Sequence, residues 1–218
     1  MPTPSLLTFA QAANATYAAD AVPMWQDDLK TVHVFMSEIN GTRCIAWEGT
    51  HDFWEWIIDF MALEVPIADY GVLGPVHLGF IRDVLAVADA IYLYFHGLNF
   101  PPYYNIGHSK GASEAILAHA VMKMRGHPPL ATRAFEPAKP GSAVLRAYLA
   151  GEDIIWTQTV NARGTDLVTQ APFGPTWCHA EAQPVALTVP DSLDIADKHR
   201  LPAIIGALAA GAAAGGPT

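Results

Sequence analysis

Ser109 lies in Gly107-His108-Ser109-Lys110-Gly111, with a glycine two positions away on either side. Glycine there removes the side chains that would collide if a strand and a helix converged on the serine. The flanking residues fit such a junction. Tyr103-Tyr104-Asn105-Ile106 is a short strand-like run, and from Gly111 to Met124 the chain is Ala-rich with no further glycine and no proline, as a helix requires. A serine so placed projects from the C-terminal edge of a sheet. The free N–H groups and positive dipole end of the following helix favour a developing oxyanion at that point. Two roles are open on these residues alone: a nucleophile held on a sharp turn, or a serine that caps the helix.

A serine hydroxyl at its ordinary pKa is a poor nucleophile and needs a base, itself oriented by an acid. Asp166 closes the polar loop Asn161-Ala162-Arg163-Gly164-Thr165-Asp166, between a β-branched run and Pro172. It is suited to orient an imidazole, although turn aspartates are common. Of the nine histidines, His179 and His199 are the two that follow Asp166. The usual chain order for such a triad is Ser, Asp, His, and spacing does not choose between the two. No pair of histidines has metal-ligand spacing with supporting Cys or Asp, so no metal is expected.

The elements that must position these residues are legible as an alternation. Residues 31–37 and 42–47 are rich in β-formers and flank Asn40-Gly41, whose preference for positive φ predicts a tight antiparallel hairpin. Residues 80–95 carry apolar side chains at helical spacing, broken by Arg82, Asp83 and Asp89. A strand near 103–106, a helix over 111–124, a strand within 130–137 and a helix over 142–150 follow, with Gly151 a natural stop. Residues 154–160 and 184–190 predict two further strands, and a C-terminal helical segment comes last. Strands alternating with helices imply an α/β fold whose central sheet is mixed but mainly parallel, with the N-terminal hairpin at one side. Residues 1–210 are expected to form a single domain, and the low-complexity residues 211–218 a flexible tail.

Several stretches, in one order along most of the chain, resemble the class 3 (fungal-type) lipases of the α/β-hydrolase fold. Ile45-Ala46-Trp47-Glu48-Gly49-Thr50 resembles the oxyanion strand, and His51 to Phe60 the segment after it. Gly74 to Phe80 (GPVHLGF) resembles the Val-His-x-Gly-Phe stretch. Asn105 to Ala112 resembles the nucleophile turn, and Thr165 to Pro172 keeps an Asp-x-Val-x-x-x-Pro pattern. The resemblance implies a Ser109–Asp166–His199 triad, with the base in Asp194-Ile195-Ala196-Asp197-Lys198-His199 before a final helix and His179 outside the triad. Without it, a solvated surface histidine beside Lys198 and Arg200 would be the simpler account of His199. It implies an oxyanion hole from the backbone N–H groups of Thr50 and Lys110, no cofactor, and an acyl-ester substrate.

Residues 51–60 (HDFWEWIIDF) correspond to the lid of that family. Asp52, Glu55 and Asp59 fall on one helical stripe, and Phe53, Trp54, Ile57 and Ile58 on the apolar remainder. A lid that turns this face toward a lipid–water interface, or a plain amphipathic helix packed on the sheet, both fit. His51 is near enough to Thr50 to contact a ligand or to serve only the surface. His77 reads as a structural residue at a turn, and His33, His96, His119 and His127 as structural or exposed. Three departures from the family stand out. Glu48 occupies a position usually Arg, Lys110 one usually Leu, and the loop before Asp166 is longer than usual.

The chain has 218 residues, of which 51% are hydrophobic and 15% charged, with a formal net charge of −9. Such a composition suits a folded globule. The acidic balance argues against nucleic acid as a partner, since phosphate recognition rests on Lys and Arg. No export signal and no membrane-spanning run is evident, and two cysteines, Cys44 and Cys178, make no disulfide framework. Free thiols and a cytoplasmic location are the expectation, with a single bridge as the alternative. The activity expected is that of a serine carboxylic-ester hydrolase, lipase or esterase. A non-catalytic hydrolase-fold scaffold, and an acyltransferase or peptidase using the same triad, are the competing readings.

Overall fold

The computed structural model describes residues 3–50 and 67–213. The expected lid residues Phe53, Trp54, Ile57 and Ile58, together with His51, lie outside them.

The elements run α1 (Leu6–Ala15), β1 (Trp25–Gln26), β2 (His33–Ile39), β3 (Thr42–Trp47), β4 (Ile67–Asp69), β5 (Pro75–His77), α2 (Leu78–Gly97), β6 (Tyr103–His108), α3 (Lys110–Met124), β7 (Ala131–Phe135), α4 (Ala143–Leu149), β8 (Ile154–Asn161), β9 (Gly164–Thr165), β10 (Val185–Thr188), α5 (Ile195–His199) and α6 (Leu201–Ala213). The main sheet has the order β1-β2-β3-β6-β7-β8-β10, with β9 paired to β8. β3, β6, β7, β8 and β10 are parallel, whereas β1 and β2 join antiparallel on one edge. This is the mixed, mainly parallel α/β sheet expected from the alternation of elements, and it agrees with the α/β-hydrolase arrangement that the resemblance implies.

Both faces of the sheet are covered, and the period-two alternation of the strands decides which residue meets which layer. Ile45 and Trp47 of β3 face the layer of α2, α3 and α4, joining Val84, Ile91, Phe95, Ile116 and Leu145. Cys44 and Ala46 face the other way, joining Phe9 and Ala13 of α1 and Leu201 and Ile204 of α6. Both thiols are free. α3 is buried along its whole length from Gly111 to Met122, because it runs between the sheet and the outer helices.

Several elements differ from the sequence expectation. β2 continues to Ile39 rather than stopping at residue 37, because a two-residue turn lets pairing run to Ile39 opposite Thr42. α2 begins at Leu78, where the His77 ring accepts the Phe80 N–H and caps the helix. α6 reaches Ala213, into residues 211–218 that were expected to form the tail, consistent with the helix propensity of its alanines. α1 was not anticipated, although Ser5 caps it through the Thr8 N–H and Phe9, Ala10 and Ala13 form its buried face.

Candidate active site

Five parallel strands deliver one polar residue each to the same end of the sheet. Thr50 follows β3, Ser109 follows β6, Glu136 follows β7, Asp166 follows the β8–β9 hairpin, and His199 follows β10. Loops at the carboxyl ends of parallel strands are where side chains from distant parts of a chain meet in such folds.

Ser109 sits at φ 57°, ψ −125°, a left-handed conformation that costs a non-glycine residue about 1–3 kcal/mol and persists only where its surroundings enforce it. Its N–H donates to Phe135 O at 2.9 Å, tying the turn to β7. A Cβ on Gly107 would stand 2.2 Å from Gly111 O, and one on Gly111 would stand 2.3 Å from Trp47 O. Both glycines are therefore steric requirements of the strand–turn–helix junction. The Ser109 side chain makes no capping hydrogen bond to α3, so the capping role left open by the sequence is not the one it plays. As the first residue of α3, Lys110 has no intrahelical acceptor for its backbone N–H.

His199 and Asp166 are both almost fully buried and hydrogen-bonded, the Nδ1–H of the imidazole donating to Asp166 Oδ2. The other carboxylate oxygen accepts the Val168 N–H at 3.0 Å. Burial pushes the Asp166 carboxyl up, but the adjoining His199 imidazole and the hydrogen bonds it receives hold it below the usual carboxylate range. The long loop before Asp166 is the β8–β9 hairpin, with Gly164 at φ 103°. Lys198, itself buried, donates to Gly164 O and Thr165 O at 2.9 Å each. The solvated setting considered for His199 is thus not what the chain adopts: both Lys198 and His199 turn inward onto the acid loop. His179 is held elsewhere, its Nε2 against Thr169 O at 2.8 Å and its ring stacked on Trp156.

Ser109, His199 and Thr50 line one open cleft of about 230 Å³, together with Tyr17, His108 and Leu201. The Thr50 hydroxyl is buried with no hydrogen-bond partner among the described residues. Tyr17 and His108 were not anticipated as site residues. The Tyr17 hydroxyl accepts the Gly49 N–H at 3.0 Å and donates to His108 Nδ1 at 2.8 Å, and His108 Nε2 donates to the His199 carbonyl at 2.8 Å. Burial lowers the His108 pKa to about 3, so the ring stays neutral and its tautomer follows from these two bonds. Tyr17 is pushed above its ordinary value, by burial first. A Cβ on Gly49 would lie 2.3 Å from Tyr17 Oη and 2.6 Å from His108 O, which is why a glycine precedes Thr50. His108 was legible as a member of the serine turn. Tyr17 had no local signal, being 91 residues away from its partner.

The residues that depart from the resemblance have local partners. Glu48 bonds His33 Nδ1 at 2.7 Å. The Lys110 ammonium contacts carboxyl oxygens of Asp83 and Glu114 at 2.8 and 2.7 Å and Thr31 O at 2.9 Å. His119 is buried between Thr132 and Glu152, and His127 stacks on Phe100. Among the described residues, the group of donor atoms close enough to share a cation is Glu136, Asp166 and His199, within 4.8 Å of one another. Both Asp166 oxygens are already engaged by N–H donors.

No protein-family model and no curated protein sequence matches the chain. Solved structures do. The Rhizomucor miehei triacylglyceride lipase superposes with a TM-score of 0.61 at 18% identity, over 77% of this chain and 65% of that one. The mono- and diacylglycerol lipase of Aspergillus oryzae gives 0.69 at 19% identity, over 91% and 85%. A triacylglycerol lipase described as having a serine protease triad gives 0.63 at 17%, over 85% and 78%. The chain therefore has the fold of the class 3, fungal-type lipases, and it spans about two thirds of the Rhizomucor chain.

Proposed function

We propose that this protein is a serine hydrolase of acyl esters, with Ser109 as nucleophile, His199 as base and Asp166 as the orienting acid. The observation that carries the proposal is the buried Asp166–His199 hydrogen bond opening onto the cleft that Ser109 also lines. The acylglycerol lipases that share the fold support an ester substrate.

In this mechanism the proton on His199 Nδ1 belongs to the Asp166 bond, which leaves Nε2 as the basic nitrogen. It takes the Ser109 proton as the hydroxyl attacks the ester carbonyl, and Asp166 stabilises the imidazolium. The backbone N–H groups of Lys110 and Thr50 receive the oxyanion, each worth about 3 kcal/mol in the transition state, and the Thr50 hydroxyl is available as a third donor. The alcohol leaves with the proton held by His199. Water, activated by the same imidazole, then releases the acyl group from Ser109. No cofactor takes part. Residues 51–60 act as the lid, and Trp54→Ala should abolish the rise in activity seen as an ester passes its solubility limit.

The test is hydrolysis of a nitrophenyl ester series from acetate to palmitate by wild type and Ser109→Ala. The proposal expects chain-length-dependent turnover by wild type and loss of at least a thousandfold in the variant. Equal rates for the two proteins would refute it.

A further inference from the structure

Four of the five strand-end residues have a role in the proposed chemistry; the fifth, Glu136, has none. It is 0% exposed. It also sits at φ 54°, a conformation that costs a glutamate free energy and that a side-chain function or tight packing must offset. Neither of its carboxyl oxygens makes a hydrogen bond of good geometry among the described residues, although the Thr159 backbone N–H approaches. The neighbours it does have are Asp166 and His199, with all three donor atoms within 4.8 Å.

A buried carboxyl beside an ionised one cannot ionise cheaply, because two like charges in a low-dielectric pocket repel. Asp166 is committed to the ionised form by His199 and the Val168 N–H. The proton therefore belongs on Glu136. From the geometry we propose that Glu136 is a neutral carboxylic acid that donates its proton to the Asp166 carboxylate, acting as a positioning residue that keeps the acid of the triad ionised and fixed. This rests on the proposed triad.

The charges around Glu136 agree. Burial, then the charge and hydrogen bond of Asp166, raise its carboxyl well above the ordinary carboxylate range, and the Thr159 backbone and the Lys198 ammonium oppose this without offsetting it. Lys198 spends two of its donors on Gly164 O and Thr165 O. His108, whose ring lies 5.0 Å centre to centre from His199, is neutral. The Asp166 carboxylate, ionised and within reach, is the acceptor that the geometry offers this acid. By sharing the charge of Asp166, Glu136 moderates how strongly that carboxylate pulls on the imidazole.

Two variants separate this from a packing role. Glu136→Gln keeps a donor toward Asp166 but cannot ionise, and Glu136→Gly suits the positive φ while removing the donor. We expect the infrared difference spectrum of wild type minus Glu136→Gln at neutral pH to carry the carbonyl band of a protonated acid. The downfield proton resonance of the Asp166–His199 bond should stay in place in Glu136→Gln and move in Glu136→Gly. On nitrophenyl esters, kcat should fall about tenfold in Glu136→Gly with KM within about twofold, and the acid limb of its pH profile should move to higher pH, while Glu136→Gln follows wild type. A carboxylate band in the difference spectrum, or a downfield proton that ignores both variants or moves equally in both, would overturn the assignment. The two spectroscopic readouts need no turnover, so they test Glu136 even if ester hydrolysis is not found.

Discussion

His108 Nε2 donates to the carbonyl oxygen of His199 at 2.8 Å, so the residue immediately before the candidate nucleophile holds the backbone of the candidate base. Two chain segments 91 residues apart are joined at the point where their side chains must align. The link extends through Tyr17 to Gly49, next to Thr50 of the proposed oxyanion hole. Tyr17→Phe removes the hydroxyl that serves both ends. Steady-state kinetics on a nitrophenyl ester should show kcat down about tenfold, the effect of roughly one hydrogen bond, with KM changed by less than about twofold. Unchanged kcat would mean that the chain from Gly49 to His199 is not needed for alignment.

The cluster behind Lys110 makes stability depend on pH. Glu114 is fully buried, and burial first, with Asp83 adding to it, raises its carboxyl to about 8 against the pull of the Lys110 ammonium. An unfolded glutamate titrates near 4.5. Between these values the folded chain binds a proton that the unfolded chain has lost, so stability falls as pH rises through that window. Glu114→Gln cannot titrate. Its melting temperature relative to wild type should therefore climb steadily from pH 4.5 to about 8, as followed by thermal melts across that range. A constant difference would show that Glu114 is ionised in the fold.

The glycines divide into two kinds that a single pair of variants distinguishes. Gly111→Ala places a Cβ 2.3 Å from the Trp47 carbonyl oxygen, a contact that backbone must relieve. It should cost well over 2 kcal/mol by chemical denaturation, with displacement of the serine turn. Gly206→Ala, in α6, meets nothing within 4 Å and should stabilise by up to about 1 kcal/mol. Equal effects would contradict the close approach of α3 to β3.

Much of the site was legible because its residues carry local signatures. The glycines around Ser109 follow from the collision they avoid, and Asn40-Gly41 marks a turn whose register then runs to Ile39 and Thr42. His199 was chosen over His179 by resemblance alone, since spacing is the same evidence for either; the contacts of the two rings, to Asp166 and to Thr169, now separate them. Tyr17, Glu136 and the positioning role of His108 escaped notice for a physical reason. Each acts through a partner brought close by the sheet, so neither periodicity nor a motif reports the contact. The inward turn of Lys198 was hidden likewise, because a lysine beside an arginine reads as surface until the carbonyls of the β8–β9 hairpin are seen to receive it.

The central claim is that Ser109 is activated by the Asp166–His199 pair. Its most direct measurement is the rate and site of covalent labelling by a fluorophosphonate, followed by peptide mass mapping. The claim predicts one adduct per chain on Ser109, none in Ser109→Ala, and labelling slowed by about four orders of magnitude in Asp166→Asn. An adduct on another residue, or equal labelling rates for wild type and Asp166→Asn, would contradict it.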